Sequence, residues 1–160
     1  MKIGVISDTH LSRPNKALAN LMRGPFQDVS LALHAGDLTS ISVLDAFGDL
    51  EVIAVAGNMD AHGTASSLPP SRIVEADGFR IGLTHGWGAR QGLEKRIMES
   101  FENVDAIVYG HSHVPANHVK NGVLMFNPGA FMGSYSGSLG GSVGILTTGE
   151  NGVRGEIVPV

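Results

Sequence analysis

Five short apolar runs in this chain end in the same way, each at a side chain that can bind a metal and beside a glycine or a second such side chain. They are Val5-Ile6-Ser7-Asp8-Thr9-His10, Leu33-His34-Ala35-Gly36-Asp37, Val55-Ala56-Gly57-Asn58, Leu83-Thr84-His85-Gly86, and the run Asp105 to Tyr109 that leads into Gly110-His111-Ser112-His113. Runs of this length read as buried strands. Strand ends gathered on one edge of a sheet form the usual ligand crevice of an α/β fold. A single histidine is ordinarily a hydrogen-bonded core or surface residue. Repetition of the pattern at five strand ends is what argues against that reading here.

The order of elements supports the inference. Lys2 to Ser7, Ser30 to His34 and Glu51 to Ala56 read as strands. Between them lie a helix capped by Asn15 and running to about Met22, and a second helix capped by Thr39 or Ser40 and ending at Gly48. This β-α-β-α-β order predicts a parallel sheet. After the aperiodic stretch 57–70 the pattern changes. Asp77-Gly78, Asn121-Gly122 and Glu150-Asn151-Gly152 each separate two strand-like runs and predict three hairpins. With a short amphipathic helix from Leu93 to Phe101 and a strand from Asp105 to Tyr109, the second half is expected to be largely antiparallel. Two sheets packed face to face would bury both halves as one domain spanning 1–160.

Composition removes several alternatives. With 42% hydrophobic and 16% charged residues the chain is expected to be globular. A net charge of −4 argues against general nucleic-acid binding. There is no cysteine, hence no thiolate metal site. No apolar run is long enough to span a bilayer, and Asp8 and His10 interrupt the first run too early for a signal peptide, so a cytoplasmic location is expected. Residues 129–144 are rich in glycine and serine and read as a mobile surface loop. The second reading is a flap over the site that carries Phe131, Met132 and Tyr135.

The candidate donors are Asp8, His10, Asp37, Asn58, His85, His111 and His113. Asp8 and His10 lie two apart at a strand end and can face the same way. Two carboxylates, four imidazoles and one amide oxygen suit divalent Mn²⁺, Fe²⁺ or Zn²⁺. Seven donors exceed one coordination sphere but suit two ions that share a carboxylate. Paired ions of this kind clamp the attacking and leaving oxygens of an in-line displacement at phosphorus.

Together, Asp8-Thr9-His10, Gly36-Asp37, Gly57-Asn58, His85-Gly86 and Gly110-His111-Ser112-His113 resemble, in order and spacing, the motifs of the calcineurin-like metallophosphoesterase superfamily. The short chain and Asn127-Pro128-Gly129 are similar to its small bacterial and archaeal phosphodiesterase branch. The resemblance implies a four-layer α/β/β/α sandwich of two mixed sheets flanked by helices. It implies one ion on Asp8, His10, Asp37 and His113, and a second on Asp37, Asn58, His85 and His111, with Asp37 bridging. Asp37, Asn58 and His85 become the catalytic residues, Asn58 touching the phosphate and a metal-bridging hydroxide attacking it. Mn²⁺ is the first expectation for the two ions, with Ni²⁺, Fe²⁺ or Zn²⁺ as alternatives. A small phosphate ester would be the substrate and a homodimer or higher homo-oligomer the assembly.

This sequence also departs from the family pattern. Many members carry histidine directly after Gly-Asn to assist the leaving group, whereas this chain has Met59. Asp60 and His62 are nearby substitutes, each weighed against plain loop solvation. Trp87 follows His85-Gly86 where relatives often have another histidine; it reads either as a stacking surface for a base or aryl group or as packing on the sheet edge. His34 reads as a buried, satisfied histidine and His118 as an exposed one. Two other functional classes stay open: a scaffold resembling the retromer sorting subunit, and a metal-dependent nucleotide sensor with little turnover.

Overall fold

In a computed structural model, which describes residues 1–60, 62–133 and 140–160, the first half of the chain forms β1 (Lys2–Ile6), α1 (Lys16–Arg23), β2 (Leu31–His34) and β3 (Val52–Ala54). Asn15 caps α1 as expected: its backbone is extended and its side chain accepts the Leu18 N–H at 3.0 Å. Ser40 caps the next helical segment, Ile41–Phe47, but this is a 3-10 helix. Its first residues, Ile41, Ser42 and Val43, are weak α-formers.

β1, β2 and β3 pair in parallel. The third hairpin, β9 (Ser142–Gly149) and β10 (Gly152–Pro159), joins this sheet through the antiparallel β1–β9 pair, giving the order β10-β9-β1-β2-β3. The second sheet holds β4 (Ser71–Ala76), β5 (Phe79–Thr84), β6 (Ala106–Val108), β7 (Ala116–Lys120) and β8 (Val123–Asn127), in the order β4-β5-β6-β8-β7. All three expected hairpins form. At Asp77-Gly78 and Asn121-Gly122 both turn residues have positive φ, the type I′ signature.

The second half is largely antiparallel as expected, through the pairs β4–β5, β7–β8 and β9–β10, but β6 pairs in parallel with both β5 and β8. Helix α2 (Leu93–Met98) carries the chain back from the end of β5 to the start of β6. A crossover of that kind forces parallel pairing. Every residue of β6 is buried, so the strand takes the sheet centre and leaves the more polar β7 on the edge.

Three apolar clusters define the layers. Ile3 and Val5 of β1 meet Val74, Ile81, Val108 and Phe126 between the sheets. Ile6 of β1 and Ala32 of β2 face outward onto Leu18 and Leu21 of α1 and Phe47. Ile107 and Met125 face the other way, onto Leu93 and Ile97 of α2. The alternation along each strand thus feeds three interfaces, and the result is the α/β/β/α sandwich with two mixed sheets. Phe126 fills the central layer across from Gly144 and Gly155, where a Cβ would collide with its ring. Among the described residues no helix is long and apolar enough to cross a membrane.

Candidate metal centre

The parallel strands β1, β2, β3, β5 and β6 all deliver their carboxyl ends to one place. Asp8 and His10 follow β1, Asp37 follows β2, Asn58 follows β3, His85 follows β5, and His111 and His113 follow β6. Five of these seven residues have left-handed backbone: Asp8 (φ 52), His10 (φ 49), Asp37 (φ 56), His111 (φ 67) and His113 (φ 59). Non-glycine residues enter that region at a cost of about 1–3 kcal/mol each, and such residues collect at functional sites. Here the bend turns each side chain out of the strand direction and into the crevice.

All seven candidate donors are brought together. His113 Nε2 lies 3.1 Å from Asp8 Oδ1 and 3.4 Å from His10 Nε2. His10 Nε2 is 3.8 Å from Asp37 Oδ2. Ligand atoms of Asp8, His10, Asp37 and His113 fall within 4.8 Å of one another, as a shared cation requires. On the other side of Asp37, its Oδ2 is 3.3 Å from His85 Nε2, which is 3.1 Å from Asn58 Oδ1. Asn58 Oδ1 is in turn 3.0 Å from His111 Nδ1. Asp37 therefore stands between two groups of donors.

The hydrogen bonds behind these atoms test whether cations fit. His85 Nδ1 faces the Ala35 carbonyl at 2.7 Å, and His111 Nε2 faces the Gly88 carbonyl at 2.7 Å. A carbonyl only accepts, so those nitrogens carry the protons. The lone pairs of His85 Nε2 and His111 Nδ1 are then left aimed at the Asn58 oxygen. Asp8 is fully buried: its Oδ2 accepts the Ser7 hydroxyl and the His111 N–H, while its Oδ1 has no hydrogen-bond partner and faces the imidazoles of His10, His85 and His113. A buried carboxylate oxygen left this way is costly. Lone pairs converging on one another with no hydrogen between them are the arrangement a divalent cation resolves.

The titration behaviour has the same origin. Burial opposes charge on His85, but the hydrogen bond that a doubly protonated ring would give Asp37 and the charges of Asp8 and Asp37 outweigh it and raise its pKa. Burial also opposes charge on Asp37, yet His85 and the Met59 N–H (2.8 Å to Oδ1) hold its carboxyl below the usual range.

Three residues steady the ligand loops from behind. His34, fully buried as expected, accepts the Gly36 N–H on Nδ1 at 3.2 Å and reaches Thr9 Oγ1 through Nε2 at 3.2 Å, tying the Asp37 loop to the Asp8–His10 loop. Burial lowers its pKa to about 4. Asn127 donates to the Gly110 carbonyl at 2.8 Å and to Ser112 Oγ at 3.0 Å, and so holds the loop of His111 and His113. Asp60 accepts N–H groups from Leu38, Thr39 and Gly57. The last finding corrects the expectation for Asp60: the side chain is fully buried in backbone hydrogen bonds, so it is neither solvated nor able to reach a leaving group. An acidic side chain three residues after Gly57 was the available signal, since that is the spacing of a side-chain-to-backbone turn.

His62 is exposed. His118 is exposed too, with Nε2 3.3 Å from Glu94 Oε2. Trp87 is 49% exposed, so the sheet edge does not absorb it. The glycine-rich segment differs from a simple surface loop at both ends. Phe131 is buried in the outer core and its N–H bonds the Ser7 carbonyl, while Ser142 onward is β9. Of the flap residues, Met132 is exposed and Tyr135 lies outside the described residues.

Strand ends from two facing sheets that deliver such a donor set define a class, the metallophosphoesterase fold with a divalent-metal donor site. The chain belongs to the calcineurin-like phosphoesterase superfamily, whose domain matches residues 1–151. It is similar to a probable metallophosphoesterase of Methanothermobacter thermautotrophicus, 38% identical over 136 residues that cover 81% of this chain and 77% of that one. A phosphodiesterase of Methanocaldococcus jannaschii is 31% identical over 99% of both chains. In three dimensions the chain is similar to Vps29 of Entamoeba histolytica, crystallised with Zn²⁺, at a TM-score of 0.71 and 24% identity over 99% of both chains, a likeness of fold alone.

Proposed function

We propose that this protein is a dinuclear metal-dependent phosphodiesterase. The observation that carries the reading is the Asp37 carboxylate standing between two groups of donor atoms, one with Asp8, His10 and His113 and the other with Asn58, His85 and His111. Asp8, His10, Asp37 and His113 would hold one divalent ion; Asp37, Asn58, His85 and His111 the other. Mn²⁺ is our first choice, ahead of Ni²⁺, Fe²⁺ and Zn²⁺. Bound there, the pair would supply the Lewis acidity that activates water at neutral pH and offsets the charge of a phosphate diester.

The chain's own residues do the rest. Asn58 presents its amide at the mouth of the site, where it can orient a phosphoryl oxygen. The Ala35 and Gly88 carbonyls fix the tautomers of His85 and His111, so that both imidazoles remain donors. The phosphodiesterase relative, similar along its whole length, favours a diester over a monoester. A scaffold role of the Vps29 kind would not require this donor set, so we place catalysis first. The decisive comparison is hydrolysis of bis(p-nitrophenyl) phosphate by metal-free, Mn²⁺-loaded and Asp37→Ala protein. We expect turnover only in the Mn²⁺-loaded parent and a loss of at least a thousandfold in the variant. Full binding of two ions without turnover on any ester would instead favour the sensor or scaffold reading.

A further inference from the structure

Trp87 is the chain's one tryptophan, two residues beyond His85, and it is 49% exposed. A large exposed aromatic is ordinarily a liability on a surface loop. Here the loop beneath it is built to hold still. Arg96 of α2 donates through Nε and Nη2 to the Trp87 carbonyl (3.3 and 3.0 Å), through Nη1 to the Gln91 carbonyl at 3.0 Å, and to the Ala89 carbonyl. His111 Nε2 donates to the Gly88 carbonyl at 2.7 Å. The loop is therefore tied both to a helix and to a residue of the metal centre. Gly86 packs its α-carbon so closely on α2 that an added Cβ would meet Leu93 Cδ1 at 3.0 Å and Ile97 Cδ1 at 3.1 Å, which fixes the approach of the loop from below. Met59, the residue after Asn58, is also exposed (52%), and Asn58 and His85 touch at 3.1 Å. Two exposed apolar side chains thus follow closely on two site residues that are in contact.

We infer that Trp87 is the stacking platform of a substrate subsite, and that the phosphate ester carries a flat aromatic group, an aryl or a nucleobase, which lies on the indole. This rests on the phosphoesterase reading above and names its substrate class. A loop already held in place loses little freedom when a ring stacks on the tryptophan it carries, which favours binding over the same side chain on a mobile loop. Base–aromatic stacking is typically worth about 1–3 kcal/mol, a change in affinity of roughly five- to 150-fold.

The test uses the Mn²⁺-loaded protein and three monoesters of the product type: methyl phosphate, phenyl phosphate and AMP. Because Trp87 is the sole tryptophan, its emission reports on that position alone. The inference requires that AMP or phenyl phosphate quench the emission while methyl phosphate, bound at the same metals, does not. Quenching by phenyl phosphate alone supports an aryl ester, and quenching by AMP supports a nucleotide. Trp87→Ala should weaken binding of the quenching ligand by roughly five- to 150-fold in calorimetry and leave methyl phosphate unchanged, and Trp87→Phe should restore most of the loss. Equal weakening of all three ligands, or no quenching by either aromatic ester, overturns the subsite. If bis(p-nitrophenyl) phosphate is still hydrolysed in that case, the phosphoesterase reading stands without it. Absence of both hydrolysis and phosphate binding would defeat the reading underneath.

Discussion

At the scale of single residues, Met59 sets the chemical limit of this site. Its N–H is engaged by Asp37 and its side chain is exposed, so it is well placed but can donate no proton. Asp60 cannot stand in, because both of its oxygens are occupied by backbone amides. A positioned general acid typically contributes about 10²–10⁴-fold where the leaving group is a poor one. A nitrophenolate needs little of that help. Met59→His should therefore accelerate alkyl diesters by tenfold or more, on the order of a weak general acid, and nitrophenyl diesters much less. Rates across a series of leaving groups would read this as a shallower dependence on leaving-group pKa. An unchanged dependence with both ions bound would remove Met59 from the account.

The strand end followed by a tight loop is the element on which the site is built, and its tolerances are small. Gly110 joins β6 to the loop of His111 and His113. A Cβ at that position would overlap Ser7 Oγ and come within 2.7 Å of Asp8 Oδ2 and 3.0 Å of the Ala35 carbonyl. Gly110 is needed for space, where Gly36 (φ +91) is needed for conformation as well. Gly110→Ala should cost about 1–3 kcal/mol in stability through overpacking. It should also weaken metal binding more than a mutation of equal stability cost in the hydrophobic layer, for example one at Met125, because the displaced atoms include Asp8 Oδ2 and the Ser7 hydroxyl that bonds it. Metal titrations followed by calorimetry, paired with urea melts of the same two variants, separate the two effects. Equal metal affinity in both would show that the close approach has no bearing on the donors.

For the molecule as a whole, cation binding and pH act through the folded state. Ions that bind only the native protein stabilise it by about 2.7 kcal/mol per site at 100 times the dissociation constant. For a chain of this size each kcal/mol raises Tm by roughly 2–4 °C. Mn²⁺ should therefore raise the melting temperature by about 5–10 °C per occupied site, with a much smaller rise for Asp37→Ala, which takes a donor from both groups. Thermal melts against Mn²⁺ concentration read this without any turnover. In the metal-free protein, His34 adds an acid-side instability. Its folded pKa is lowered to about 4 from 6.5. Above pH 6.5 it is neutral in both states and has no pH-dependent effect. As pH falls from 6.5 to 4 the unfolded chain takes up a proton that the buried ring refuses, and stability drops by up to about 3 kcal/mol. Urea melts of metal-free protein across that range should show His34→Gln lacking this one-proton share of the slope. Parallel pH profiles for the two proteins would assign the acid loss elsewhere.

Local signals in the sequence account for most of the elements and for the candidate donors. The apolar runs, caps and Asp-Gly and Asn-Gly turns are local signals, because a strand needs only its own alternation and a type I′ turn only its own two residues. The seven candidate donors were legible for the same reason: they sit at the ends of five apolar runs. Tertiary structure alone decided the rest. Nothing local to Ala106–Val108 tells that β6 takes the centre of a sheet in parallel with two neighbours, since pairing depends on which surfaces remain to be covered once α2 has crossed back. Nothing local to Val143–Thr147 tells that the last hairpin returns to the first sheet beside β1. The supports behind the site were hidden in part: the Gly57 bond of Asp60 and the Gly36 bond of His34 are local, but Thr9, Leu38, Thr39, Gly110 and Ser112 reach His34, Asp60 and Asn127 only through the fold. The hold of Arg96 on the Trp87 carbonyl is the smallest case: nine residues apart in sequence, the two are brought together by the loop's turn onto helix α2.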